Sequence, residues 1–166
     1  MLTVGHGTHE ADDFAALLRG AGVANLVDIR TAPGSRRYPW FARDALASWL
    51  PDAGIAYAHE RDLGGFRKPL PDSPNAGWRN TSFRGYADHM RTPEFWAALD
   101  RVLALPDVAV MCSESVWWRC HRRLVADAAA VVRGVSVEHL MPGGKVSPHR
   151  PTEGVRRDGD LLVYPG

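Results

Sequence analysis

The sequence predicts an α/β fold: a mostly parallel sheet of about five strands with helices on both faces, as a single three-layer domain over 1–166. Three observations predict it. Short apolar runs alternate with stretches of helical periodicity, the pattern of repeated βαβ units. The run VANLVDIR is apolar enough to be covered on both faces, as strands of a parallel sheet are. The chain has 166 residues, 45% hydrophobic and 23% charged, which is enough to bury one core without staples.

Each element follows in order. LTVG at 2–5 reads as the first strand, and THEADDFAALLRGAG as a helix with Thr8 as its cap and Phe14, Leu17 and Leu18 on one face. VANLVDIR is the second strand, followed by the basic loop TAPGSRRYPW and a helix, ARDALASWLPDAG, ended by Pro51 and Gly54. IAYAH is the third strand. From 60 to 81 the chain is irregular and rich in Gly and Pro, a length of loop that is usually functional or disordered. SFRGYADHMR and TPEFWAALDRVLAL are helices, the latter with Thr92 as N-cap and Pro93 at its first position. DVAVMC is the fourth strand, RCHRRLVADAAAVVRG a helix and VSVEHL the fifth strand. The tail, about 141–166, carries turn signals and an apolar run, LLVY, that reads as an edge strand; PGGK at 142–145 lacks the length of a phosphate-binding loop and reads as a turn.

Bulk properties exclude several classes. A net charge of +1 gives no general attraction to nucleic acid, so such binding must rest on a local patch. No run approaches the roughly 20 apolar residues of a membrane span, and the first residues do not read as a signal peptide. Two cysteines are too few for a disulfide framework, so a reducing, cytoplasmic setting is expected. No cofactor is implied, and the oligomeric state is not legible.

In a parallel sheet, ligands bind beyond the carboxyl ends of the strands. The predicted strands end at His6, at Asp28 and Arg30, at His59, at Cys112 and at His139, each capable of chemistry. The densest stretch is MCSESVWWRCHRR at 111–123. Cys112 ends a strand just before a helix, where amides and arginines would lower a thiol's pKa, so it is the candidate nucleophile. Glu114 and His121 are the candidate acid/base pair. His6, Arg30, Arg36, Arg84, Tyr86, Arg119 and Arg122 are candidate ligands for a phosphate-bearing small molecule or nucleic acid. Gly85 would allow a ligand to approach the backbone. Asp28 is the natural partner of a nearby arginine. Trp117 and Trp118 are either a stacking surface or a cover on the core. Cys120 either packs in the core or resolves an oxidised Cys112. No metal is expected; Cys112, Cys120 and His121 form a minority alternative, at a spacing that fits no common zinc template. The rival readings are a non-catalytic nucleic-acid-binding module, a Cys/His metal protein, and a redox or structural domain.

With these residues assembled, the sequence resembles the bacterial and archaeal family called domain of unknown function 488. The landmarks are TVGH, VDIR, PGSRR, LGG, FRGYADHM, MCSE and RCHR, and the resemblance is expected to cover nearly the whole chain. The resemblance implies little about activity, because the family's function is unsettled. More distantly, LVDIR and the strand–Cys–loop–helix unit resemble rhodanese-like domains and related phosphatases, which implies Cys112 as nucleophile and Arg119 as anion ligand. Here six residues, two of them Trp, separate that Cys and Arg, more than such loops usually hold.

Overall fold

The computed structural model describes residues 1–166. Five parallel strands and one antiparallel strand form the central sheet: β1 (Leu2–Gly5), β2 (Asn25–Asp28), β3 (Ala56–His59), β4 (Val108–Cys112), β5 (Glu138–Leu140) and β6 (Val146–Pro148), in the order β3-β2-β4-β1-β5-β6. Alternate side chains of the inner strands face opposite sides. On one side Val4, Leu26, Ala109 and Met111 pack under α1 (Ala11–Gly20) and α2 (Arg43–Asp52). On the other, Val27, Val108 and Val110 pack under α3 (Thr81–His89), α4 (Pro93–Leu103) and α5 (Arg122–Asp127). The predicted α/β class with helices on both faces is the one observed.

Local differences have local causes. The α1 N-cap is Glu10 rather than Thr8, and it makes no side-chain cap bond. Pro51 sits inside α2 near its end, and the chain leaves through Gly54 at φ 80°. The last long helix starts at Arg122, after a 3₁₀ turn at Trp117–Arg119, and widens into a π turn at Ala128–Val132. The run LLVY does not edge the main sheet: β8 (Leu161–Val163) pairs with β7 (Arg156–Asp158) as a separate hairpin, tucking Leu162 and Tyr164 into the α3–α5 core. The edge position belongs to β6, too short and polar to be read from sequence. At the α4 start Thr92 accepts from the Phe95 amide and Pro93 follows, as expected. Thr92→Ala is expected to cost about 1 kcal/mol in urea unfolding, with little change in m-value.

The connections place a crevice. From β2 the chain runs outward to β3, while from β4 it crosses β1 to β5. These opposite departures separate the segments beyond the ends of β2 and β4, where α/β sheets bind ligands.

Candidate active site

A cleft of about 460 Å³ opens at that point, and its lining includes Arg30 and Thr31 beyond β2, Cys112 to Glu114 beyond β4, and Arg119, Cys120 and His121. The long loop supplies Gly65 and Phe66, and α3 supplies Ser82, Phe83 and Tyr86. The loop is fixed to α3 by the buried Asp88, which accepts from the Leu70 amide, the Ser73 hydroxyl and the Asn75 side-chain amide at 2.6–2.8 Å. An added Cβ on Gly85 would meet the Arg67 carbonyl oxygen at 2.1 Å, so this glycine admits the protein's own loop, not a ligand.

The floor is a pair of thiols. Cys112 and Cys120 are free and buried, with their sulfurs 2.7 Å apart. Burial and the neighbouring Cys120 push the Cys112 thiol well up, the opposite of the lowered pKa expected. No cradle of amides surrounds it, because the helix begins beyond both cysteines; its sulfur meets the Glu114 carbonyl at 3.6 Å. For Cys120 burial also pushes up, but the Cys112 thiol and the Arg122 guanidinium outweigh it and hold the thiol below its ordinary value. Cys120 is therefore the more acidic of the two. His121 donates from Nε2 to the Ile29 carbonyl at 2.9 Å, which leaves Nδ1 as an acceptor 3.6 Å from the Cys120 sulfur. Burial lowers the His121 pKa and keeps the ring neutral.

The expected anion ligands separate into groups. Arg30 is held by both carboxylate oxygens of Asp28, at 2.9 and 2.6 Å, and by the Phe41 carbonyl, leaving Nη1 with one long 3.4 Å contact to His6. Arg119 is exposed on the rim. His6 lines an adjoining hollow with Ser35 and Arg37, across Gly34, Ser113 and Glu114 from the thiols, and burial lowers its pKa to about 4. The hydroxyl of Tyr86 is spent on the Leu63 carbonyl. Arg36 points to solvent, and Arg84 donates to the Trp78 carbonyl outside the cleft. Arg122 is buried and turned away from the cleft: it donates to the carbonyls of Glu114 and Ser115 and to Thr3 Oγ1. Glu114 and His121 share the cleft but no hydrogen bond, since Glu114 accepts from the Val116 amide. No group of three or more His, Cys, Asp or Glu side chains is arranged to hold a metal ion, the Cys112, Cys120 and His121 set included.

Sequence reading missed a buried relay behind the thiols. His139 is not at a strand mouth but inside the sheet, covered by Trp117 with ring planes 4° apart at 4.0 Å. A carboxylate only accepts, which orders the chain from Asp127 back: His149 donates from Nε2 to Asp127 at 2.8 Å, His139 Nε2 to His149 Nδ1 at 2.9 Å, and Thr3 Oγ1 to His139 Nδ1 at 2.6 Å. Arg122 donates to the same threonine at 3.3 Å. Tyr164 and the Thr152 amide complete Asp127. Burial and the neighbouring His149 lower the His139 pKa to about 3. Thr3 lies 136 residues from His139 and Asp127 lies 22 from His149, so no local spacing could have disclosed the whole relay.

The cleft, its thiol pair and Arg30 all lie within one stretch of chain that a family model recognises. No curated protein and no solved structure matches the sequence. The model of the family Domain of unknown function DUF488 matches residues 10–129, well over half of the chain, and the chain belongs to that family.

Proposed function

We propose that the cleft binds a phosphate-bearing small molecule, a nucleotide, and acts on it as a thiol-dependent enzyme. The observation that carries this reading is the placement of two arginines, Arg30 and Arg119, around a cleft whose floor is a contacting thiol pair. Arg30 is oriented by Asp28 and keeps Nη1 nearly free; Arg119 has no carboxylate partner. Phe66 supports a planar ring beside the phosphate. It lines the cleft yet is 92% exposed, and it holds φ 58°, a conformation that is an outlier for a bulky residue and that recurs at ligand sites. The cleft is of the size that encloses small-molecule ligands. In this reading Arg119 and Arg30 hold the phosphate, Phe66 stacks on the base, and His121 Nδ1 takes a thiol proton. Glu114 completes the rim. Two reduced cysteines fit a reducing cytoplasm, and no helix is long and apolar enough to cross a membrane.

The test is calorimetric titration with inorganic phosphate and with adenosine monophosphate. Arg119→Ala should weaken both roughly tenfold, the worth of one charge-assisted hydrogen bond. Phe66→Ala should weaken the nucleotide roughly tenfold and leave phosphate unchanged. Nucleotide binding that is absent, or indifferent to Arg119, would sink the proposal. Cys112→Ser and Cys120→Ser should retain binding, which separates ligand capture from thiol chemistry.

A further inference from the structure

The two sulfurs, 2.7 Å apart, are closer than an ordinary non-bonded contact and longer than the roughly 2.05 Å of a covalent bond. Both line the cleft. The intervening residues are pinned at both ends: Arg122 grips the carbonyls of Glu114 and Ser115, and the Cys120 amide donates to the Trp117 carbonyl. The pair can therefore change its bonding while its backbone stays in place.

Arg122 adds a second, independent observation. It is 1% exposed, joins no ion pair, and its Nε has no hydrogen-bond partner. A buried guanidinium without a facing anion is costly. The anion within its reach is a thiolate at Cys120, which the charge of Arg122 favours. The neighbouring His121 Nδ1, fixed as an acceptor, provides a place for the departing proton. A stabilised sulfur beside a second thiol of raised pKa is the arrangement of an attacking and a resolving cysteine.

We infer that Cys120 and Cys112 form a two-thiol redox centre that reduces the disulfide of an acidic small molecule held in the cleft, Cys120 attacking and Cys112 resolving. The acidic substrate rests on the anion-binding reading given above; the two-thiol chemistry does not. Cys120 gives its proton to His121 Nδ1, and its electron pair forms a bond to one substrate sulfur. The substrate S–S bond breaks, and the leaving thiolate takes the proton. Cys112 then attacks the Cys120 sulfur, and the bond from Cys120 to the substrate breaks. The second thiolate leaves with the proton of Cys112. The substrate has gained two electrons and two protons and become two thiols, while the cysteines have become one disulfide. An external dithiol reverses the oxidation.

Intact-mass spectrometry of the full chain tests this, with glutathione disulfide as probe and cystamine as its cationic counterpart. Wild type should lose the mass of two hydrogens and release two thiols per chain, roughly tenfold faster than the urea-unfolded chain, and dithiothreitol should restore it. Glutathione disulfide should react severalfold faster than cystamine. Cys112→Ser should stop at a mixed disulfide on Cys120, and Cys120→Ser should form none. A stable adduct on Cys112 in Cys120→Ser, with none in Cys112→Ser, would overturn the order of attack. Wild type that forms no internal disulfide, or forms it no faster than the unfolded chain, would overturn the centre itself; that result needs no variant to fold. Equal rates with the two probes would overturn the acidic substrate alone, and nucleotide titration judges the anion site separately.

Discussion

Gly5→Ala is expected to destabilise the protein by about 3 kcal/mol, the upper range for forcing an atom into a packed interior, and to lower Tm by roughly 6–12 °C for a chain of this size. A Cβ at Gly5 would stand 1.9 Å from the Glu114 carbonyl oxygen and 2.6 Å from its carbon, with Arg122 Nη2 at 3.0 Å. The nearest atoms are backbone and cannot swing aside, so the 113–115 strap must lift. That movement breaks the grip of Arg122 on Glu114 and frees the guanidinium that favours the Cys120 thiolate. Thermal melts should therefore fall together with the rate of Cys120 alkylation at neutral pH. Gly20→Ala is the control: it ends α1, and its Cβ would meet nothing within 4 Å, so a gain of about 0.5 kcal/mol is expected. A Gly5→Ala protein that melts like wild type would mean that the strap does not pack on β1 as described.

Acid should begin to destabilise the protein well above the pH at which carboxylates titrate. His6 and His139 are neutral when folded, with pKa lowered by burial to about 4 and about 3, whereas an unfolded histidine titrates near 6.5. Between those values the unfolded chain binds the extra protons, so stability rises with pH and is lost as pH falls below 6.5. Each histidine contributes up to about 1.4 kcal/mol per pH unit, and the loss continues to about pH 4 for His6 and pH 3 for His139. Urea unfolding at pH 5 should show about 2–4 kcal/mol less stability than at pH 7.5. His6→Asn should flatten the slope by up to about 1.4 kcal/mol per pH unit, because one of the histidines with a lowered pKa no longer titrates. A stability that is level between pH 7.5 and 5 would contradict the neutral, buried state of both rings.

The parts of this molecule that were legible in sequence are those governed by local rules. The alternation of VANLVDIR, IAYAH and DVAVMC with helical stretches led to the sheet and its layers. Thr92 and Pro93 marked a helix start that is used as read. Strand ends pointed to the cleft, and Arg30, Cys112, Glu114, Arg119 and His121 all line it. What failed depended on distance or burial. Cys120 is buried as read, and that it is also the more acidic thiol depends on the Cys112 sulfur and on Arg122. Arg36 and Arg122 look alike in sequence, yet one points to solvent and the other is enclosed. His139 seemed to end a strand, but β5 continues past it and Trp117 covers it.

The relay from Thr3 to Asp127 has a consequence in time. Thr3 leaves the ribosome well before His139, His149 and Tyr164. Contacts of such sequence separation close late, after the loop entropy between them has been lost. Until they close, Trp117 has no ring to rest on and Arg122 has no Thr3–His139 hydroxyl to hold it. The thiol pair therefore acquires its environment only when translation has passed residue 149. An interrupted or clipped chain would carry the same two cysteines as ordinary, unguided thiols. Chemical competence here waits on residues made well after both cysteines.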